Sequence, residues 1–119
     1  MPALSSLTSM RVGGEPASIK ECATREELIA AAQELWSTGE DWIVVGGGTN
    51  LVFAEDVGNL NVLLVKTSGI EKTKSDGKQV WKIQAGVGWD ELVAEAVSEG
   101  LAGIEGMSGI PGTCGASPV

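Results

Sequence analysis

The first half of the chain contains three short segments whose hydrophobic pattern predicts β-strands. Residues 17–23, ASIKECA, alternate loosely between apolar and polar positions, as a half-buried strand does. The segments WIVV at 42–45 and NVLLV at 61–65 are almost entirely apolar, which is typical of strands buried on both faces of a sheet. The pattern therefore predicts a small sheet with a buried core.

A helix is predicted between the first two of these strands. Thr24 and Glu27 have the spacing of a capping box, in which the threonine side chain accepts from the Glu27 amide and the glutamate reaches back. Gly39 stands where a left-handed glycine commonly ends a helix. The apolar residues between them recur at helical spacing: Leu28, Ala31, Ala32, Leu35 and Trp36. The first half is thus organised as strand, helix, strand, loop and strand.

The second half predicts a β-hairpin followed by a helix. Asp76-Gly77 separates two alternating segments within residues 70–85, which is a strong hairpin signal. Asp90 is predicted to cap a helix that ends at Gly100. Its apolar residues are Leu92, Val93, Ala96 and Val97.

The pattern changes near residues 66–69, where we place a boundary between two lobes. Residues 1–66 form the first α/β lobe, and residues 67–119 begin a second lobe that is incomplete. After the second helix the sequence has no regular period, apart from a short helix predicted near Pro111. The chain stops on the glycine-rich segment GIPGTCGASPV, which no helix or strand closes. We therefore expect it to be a piece of a longer protein.

Composition and charge narrow the classes of partner. The chain has 119 residues, 43% of them hydrophobic, and a net charge of −8, which argues against nucleic acid or an anionic membrane surface as partner. No apolar run approaches the about 20 residues that span a bilayer. The N-terminal segment lacks the regions of a secretion signal, and two cysteines make no disulfide framework. These features predict a cytoplasmic protein.

The chain has no histidine, so the commonest acid–base side chain is missing. A zinc site would need an unusual ligand set, and we predict no metal site. Cys114 has no histidine to activate it, which favours a small packed thiol over a nucleophile. Glu105 is interpreted as a solvated or capping carboxylate. The four tryptophans, Trp36, Trp42, Trp81 and Trp89, are interpreted as core or lid residues.

Glycine is abundant, with 17 residues, and the first cluster follows the strand at 42–45. The dinucleotide fingerprint fails here because Leu51 occupies the position of its third glycine, and the phosphate loop of nucleotide hydrolases fails because no Gly-Lys-Ser/Thr follows. The amides of Gly47, Gly48, Thr49 and Asn50 can form a nest that holds a diphosphate. A tight strand connection that needs glycine only for its turn is the open alternative.

The same two interpretations, an anion-binding site or a plain turn, apply to two more glycine-rich segments. Gly86 and Gly88 precede the second helix, whose first amides could bind an anion, although a plain strand-to-helix turn is favoured. Pro111 at a helix start would leave the amides of Gly112, Thr113 and Gly115 free. The small residues at 115–117 would let a flat ring lie against the backbone.

Four segments together carry a family resemblance. RVGG at 11–14, VVGGGTNLVFAED at 44–56, IQAGVGWDELV at 83–93 and GLAGIEGMSGIPGTCGASPV at 100–119 resemble the UDP-N-acetylenolpyruvoylglucosamine reductase (UDP-N-acetylmuramate dehydrogenase) family. The GIPG segment with the small residues after it is the most specific part of the likeness. The Gly-Gly-Gly-Thr-Asn loop is shared with other flavoproteins of the vanillyl-alcohol-oxidase type.

The resemblance implies an α+β fold, the two-lobed FAD-binding domain of that type, with the cofactor between the lobes. The cofactor-binding residues that it implies are Gly46, Gly47, Gly48, Thr49, Asn50, Leu51, Gly86, Gly88, Ile110, Pro111, Gly112, Gly115, Ala116 and Ser117. It also implies NADPH as hydride donor and the enolpyruvyl ether of a UDP-sugar as substrate, in peptidoglycan precursor synthesis. The catalytic arginine, serine and glutamate of the family have no counterpart here, so no catalytic residue is assigned. We therefore expect these 119 residues alone to be inactive. Because half of the cofactor site is missing, we also expect them to bind FAD weakly or not at all.

Two other functions remain open from the sequence. One is a flavin-binding module, or an oxidase of the same superfamily with a different substrate. The other is a small acidic α/β domain whose glycines only turn the chain. A full-length protein that gains no visible absorbance with added FAD would favour the second. A continuation of the reading frame that does not resemble Gln-Asn-x-Gly-Ala-Tyr-Gly would favour the first.

Overall fold

A computed structural model of the chain describes residues 2–117; Met1 and the Pro118-Val119 end of the last glycine-rich segment lie outside them. Its centre is a parallel sheet of three strands, β1 (Ser18–Cys22), β2 (Trp42–Val45) and β3 (Asn61–Val65). The strand order is β1-β3-β2, so the last strand in sequence pairs with both of the others. Asn61 lies opposite Ser18 on one side and opposite Trp42 on the other.

The two apolar strands differ in burial. All five residues of β3 are buried, as the sequence predicts for a strand covered on both faces. The same prediction for β2 was wrong, because β2 is an edge strand and the side chain of Val44 is 48% exposed. Val44 faces a cavity, which explains why an apolar residue stands at an uncovered position.

The first helix, α1 (Arg25–Thr38), joins β1 to β2 and begins and ends as predicted. The Glu27 amide donates to Thr24 Oγ1 at 3.2 Å, and Glu27 Oε2 accepts from the Ala23 amide at 2.8 Å. Gly39 ends the helix with φ 72°. These contacts complete a capping box, with the glutamate reaching one residue further back than the predicted pair.

One face of α1 packs on the sheet with Leu28, Ala31, Ala32 and Leu35. The core interpretation of Trp36 was wrong, because 78% of this side chain is exposed. Successive helical residues point about 100° apart, and Leu35 takes the inward position of the last turn. Trp36 instead meets Trp42 edge to face, with ring centroids 6.4 Å apart.

The second half forms the predicted hairpin, β4 (Ile70–Ser75) and β5 (Lys78–Ile83). Its turn residues have positive φ angles, 50° at Asp76 and 75° at Gly77, which suits the right-handed twist of paired strands. Lys72 on β4 forms ion pairs with Glu95 and Glu99 and lies 4.7 Å from the centre of the Trp81 ring. The ion pairs link the hairpin to the second helix, and the Trp81 contact lies within the hairpin.

That helix, α2 (Trp89–Ser98), begins at a different cap from the predicted one. The N-cap is Gly88, and Asp90 lies within the first turn. The prediction was wrong because the Asp90 carboxylate has other partners, the amide of Gly109 at 2.7 Å and the hydroxyl of Ser108 at 3.2 Å. Of the four predicted apolar positions, Val97 is more than half exposed, and the others are buried: Leu92, Val93 and Ala96.

The last part of the described chain contains two short 3-10 turns, Glu105–Met107 and Cys114–Ala116. The helix predicted near Pro111 is the second of these turns, and it begins three residues later than predicted. Among residues 2–117 no helix is long and apolar enough to cross a bilayer.

The N-terminal segment, residues 4–14, has a structural role that its sequence does not reveal. Leu4 is fully buried in the same core as Val45 and Val62. The Leu4 amide donates to the Gly14 carbonyl at 2.8 Å, and the Ser9 amide donates to the Gly48 carbonyl at 3.0 Å. The segment is therefore tied both to itself and to the first glycine loop.

Candidate functional site

The three glycine-rich segments, which are distant in sequence, meet at the end of the parallel sheet. A Cβ placed on Gly47 would lie 3.4 Å from the α-carbon of Gly112, so the first and third segments are in backbone contact. Gly88 forms an isolated antiparallel bridge with Thr113, which joins the second segment to the third. The three segments that the sequence analysis singled out are therefore in contact in the fold.

The first segment, residues 46–51, keeps several backbone amides available. Within residues 2–117 the amides of Gly47, Gly48, Thr49 and Asn50 donate to no protein acceptor. Gly48 has φ 67°, a conformation that favours glycine. A cavity of about 200 Å³ lies over this loop, lined by Val44, Gly46, Gly47, Gly48, Thr49, Asn50, Leu51 and Ala116. This geometry agrees with a nest for an anionic group.

A second, largely apolar cavity of about 270 Å³ adjoins the first. The two cavities share three lining residues, Val44, Gly46 and Ala116. The second cavity is completed by Val65, Ala85, Thr113 and Gly115. Small side chains and bare backbone make its walls, so a flat apolar group could lie between β2 and the third segment.

In the second segment, residues 86–88, two of the three amides donate to protein acceptors. The Gly86 amide donates to the Thr67 hydroxyl at 3.0 Å, and the amides of Val87 and Trp89 donate to the carbonyls of Gln84 and Gly112. A Cβ on Gly86 would lie 2.3 Å from the Thr67 carbonyl oxygen. The favoured interpretation, a strand-to-helix turn, therefore agrees with the geometry better than an anion site does.

In the third segment, residues 110–117, some of the backbone amides donate to carbonyls in or next to the second segment. The Cys114 amide donates to the Val87 carbonyl at 2.7 Å, and the Gly115 amide donates to the Ala85 carbonyl at 2.9 Å. The expectation that the Gly115 amide is free was therefore wrong, since the bridge to residues 85–88 uses it. Within the described range the amides of Gly112 and Thr113 have no such acceptor.

The remaining predicted residues of the third segment lie around the cavities. Ile110 is 40% exposed and Pro111 is also exposed, and neither lines the two cavities. The Ser117 hydroxyl donates to the Thr113 carbonyl at 3.4 Å, so it closes the last turn of the segment. Ala116 is the predicted residue of this segment that lines both cavities.

Cys114 and Glu105, the two titratable side chains that the sequence analysis considered, have structural roles. Burial, with a smaller contribution from the Glu91 carboxylate, raises the pKa of the Cys114 thiol, which suits a packed thiol. Backbone hydrogen bonds, first from its own amide and then from Gly103, lower the pKa of Glu105. Glu105 Oε2 accepts from the Gly103 amide, so this carboxylate caps a turn. Residues 2–117 contain no group of three or more His, Cys, Asp or Glu side chains that could hold a metal.

Residues that the sequence did not single out also contribute to the site. Val44, Val65 and Ala85 line the apolar cavity. The Thr67 hydroxyl accepts a hydrogen bond from the Gly86 amide of the second segment. A strand end followed closely by glycine is a signal for Val44 and Ala85. The role of Thr67 depends on a contact across 19 residues, and the sequence carries no local sign of it.

Comparison with known proteins places these features in a family. The family model described as FAD binding domain matches residues 16–119. The chain is 50% identical over 119 residues to UDP-N-acetylenolpyruvoylglucosamine reductase of Leifsonia xyli subsp. xyli, an alignment of 99% of this chain with 32% of the relative. It is 43% identical to the protein of the same name from Nocardia farcinica, over 98% of this chain and 29% of the relative.

A solved structure is similar as well. It is the crystal structure of UDP-N-acetylenolpyruvylglucosamine reductase (MurB) from Thermus caldophilus, with a TM-score of 0.66 and 33% sequence identity. The similarity covers 98% of this chain and 39% of that chain. The present chain spans about a third of the length of the curated relatives that it matches.

Proposed function

The chain belongs to the FAD binding domain family, whose model covers residues 16–119, and we propose that in the complete protein these residues contribute to a site that holds FAD across the two adjoining cavities. The observation that carries the proposal is the position of the free amides of Gly47 to Asn50 beside a small-residue apolar cavity. A flavin dinucleotide has matching parts, since a charged diphosphate joins a flat, mostly apolar ring system to a nucleoside. No other cofactor chemistry is needed to explain the three segments.

The diphosphate would lie on the first segment, Gly46 to Leu51. This loop has no lysine or arginine, so its amides and the Thr49 hydroxyl would supply the hydrogen bonds. The flavin ring would lie in the apolar cavity against Gly115 and Ala116, with Val44 on the opposite wall. The other predicted residues would support the cofactor site without lining the two cavities: Gly86, Gly88, Ile110, Pro111, Gly112 and Ser117.

The predicted division into lobes at residues 66–69 is part of this proposal. Residues 1–66 contain the parallel sheet and the first segment, whereas residues 67–119 contain the hairpin, α2 and the other two segments. The cavities are lined from both parts, since Val44 and Val65 come from one and Ala85 and Ala116 from the other. We therefore propose a two-lobed domain with the cofactor at the junction.

For the complete protein we propose reduction of the enolpyruvyl ether of UDP-N-acetylglucosamine with NADPH, in the cytoplasm. Bound FAD would supply the hydride transfer between the two substrates. The residues of this chain would bind and orient the flavin and exclude water from one of its faces. Neither Cys114 nor Glu105 is assigned a chemical step, because the first is a packed thiol and the second caps a turn.

Flavin binding is tested by titrating the full-length product of the gene with FAD. We expect a yellow protein in which flavin fluorescence changes on binding, with one FAD per chain. A full-length protein that stays colourless with excess FAD would refute the proposal. The reductase step is tested by NADPH oxidation that requires the enolpyruvyl sugar nucleotide; flavin binding without that turnover would favour an oxidase or binding module of the same family.

A further inference from the structure

Thr113 lies where all three glycine-rich segments meet. It belongs to the third segment and bridges Gly88 of the second. Its Oγ1 lies 2.6 Å from the position that a Cβ of Gly46 would occupy. The hydroxyl of Thr113 therefore fills the space that the missing side chain of Gly46 leaves in the first segment.

Thr113 also differs chemically from its neighbours in the apolar cavity. The other lining residues are Val44, Gly46, Val65, Ala85, Gly115 and Ala116, none of which has a polar side-chain atom. The Thr113 hydroxyl donates to no acceptor within residues 2–117. Thr113 is half-buried, so a ligand that enters the cavity would replace solvent as the hydrogen-bond partner of this hydroxyl.

We propose that Thr113 is a positioning residue whose hydroxyl hydrogen-bonds to the polar edge of the ring system that enters the apolar cavity. The inference rests on the proposed binding of FAD and extends it to the side chain of Thr113, a residue for which the sequence predicted only a free amide. The isoalloxazine ring has an apolar end and an end with carbonyl oxygens and ring nitrogens. One hydroxyl in an otherwise apolar cavity would fix which end lies next to Gly46 and the diphosphate loop.

The test compares Thr113→Ser, Thr113→Val and Thr113→Ala in the full-length protein, with FAD, riboflavin and ADP as separate probes. Riboflavin carries the ring without the diphosphate, and ADP carries the diphosphate without the ring. Loss of one neutral hydrogen bond is expected to weaken binding by about 3- to 10-fold. We expect this loss for FAD and riboflavin in the Val and Ala variants, unchanged ADP binding, and near wild-type binding in the Ser variant.

A spectroscopic readout separates positioning from general support of the fold. The visible absorption bands of bound flavin respond to hydrogen bonds at the polar edge, so they should shift in Thr113→Val and return in Thr113→Ser. Equal FAD affinity and identical spectra in wild type and Thr113→Val would overturn the inference while leaving FAD binding intact. A parallel loss of ADP binding in the Val and Ala variants would also overturn it, since the side chain would then only support the loops. A wild-type protein that binds no FAD would remove the proposed function itself.

Discussion

The α-carbon of Gly48 lies under the carbonyl oxygen of Leu7, so close that a Cβ on Gly48 would come within 1.9 Å of that oxygen. The Ser9 amide donates to the Gly48 carbonyl from the same side. The N-terminal segment thus holds the first glycine loop in the shape that exposes its amides. At this position glycine meets two requirements, a positive φ and a close backbone approach.

The first prediction is that Gly48→Ala disrupts this contact. The positive φ alone costs about 1–3 kcal/mol, and the displaced Leu7 carbonyl adds to that. We expect a loss of about 2 kcal/mol or more in the free energy of unfolding, measured by urea denaturation, together with loss of FAD binding.

Gly58→Ala is the matched control, because a Cβ there would meet no atom within 4 Å. It should change stability by no more than about 0.5 kcal/mol. Equal stabilities of the two variants would show that the Leu7–Gly48 contact does not constrain the loop.

A second prediction concerns the pair Gly46 and Thr113. Gly46→Ala places a methyl group against Thr113 Oγ1, and overpacking of this kind costs about 1–3 kcal/mol. In a Thr113→Ala background the obstructing atom is absent, so the same substitution should cost less. Urea denaturation of the four proteins gives the coupling energy, which we expect to be about 0.5–3 kcal/mol. Additive effects would contradict direct contact between the two segments.

A third prediction tests the start of α1. Thr24→Ala removes the acceptor for the Glu27 amide and should lower the free energy of unfolding by about 1 kcal/mol. Ser37→Ala is the control, since the Ser37 hydroxyl is exposed and bonds only to the carbonyl of Glu34 within the same helix. If both variants have the same thermal midpoint, the capping box does not contribute to stability.

A fourth prediction uses the ion pairs of Lys72. Side-chain hydrogen bonds with Glu95 and then Glu99 raise the pKa of Lys72. Its contribution to stability is therefore complete below the ordinary pKa of lysine and is lost as pH rises through the higher folded value. Lys72→Met should be less stable than wild type at neutral pH, and the difference should shrink at strongly alkaline pH and in high salt.

Lys74→Met on the same strand serves as the control for charge removal, because Lys74 lies outside both ion pairs. A Lys72→Met effect that does not depend on pH or salt would indicate lost packing over the Trp81 ring instead of lost ion pairs.

A fifth prediction concerns the two thiols. Burial raises the pKa of Cys114, so the folded protein should react with a thiol reagent more slowly than free cysteine at neutral pH. The rate should rise as pH increases toward the raised pKa. Cys22 is fully buried and should react only after unfolding, which a Cys22→Ala variant separates from Cys114. Fast labelling of Cys114 at neutral pH would contradict the packed-thiol interpretation.

Local sequence signals predicted most of the secondary structure. The capping box at Thr24, the terminal Gly39 and the Asp76-Gly77 turn each act over a few residues, so their geometry follows from local chemistry. The α+β FAD-binding fold and the family were also predicted and are confirmed by the family match and the solved structure. Errors arose where tertiary partners decide the outcome. Asp90 is not the N-cap of α2, because its carboxylate accepts hydrogen bonds from Ser108 and Gly109. Val44 is exposed because β2 is an edge strand.

The candidate site was predicted as three segments but not as a set of contacts. A glycine cluster indicates that another group lies close to the backbone. It does not show whether that group is a ligand or another part of the same chain. Gly86 packs on Thr67 and Gly48 packs on Leu7. The whole first segment lines the cavities, whereas the third segment does so only in part and residues 86–88 line neither cavity. The N-terminal support of the first loop was missed because residues 4–14 have no helical or strand period. The binding roles of the individual residues stay predictions.

The strand order β1-β3-β2 has a consequence for synthesis on the ribosome. A nascent chain that has emerged only as far as β2 carries two strands that cannot pair with each other, because the strand that lies between them has not yet been made. Sheet formation must wait for residues 61–65, and the pairing is then parallel and non-local, which slows folding. Until that moment the unpaired backbone edges of β1 and β2 are available to chaperones and to other nascent chains.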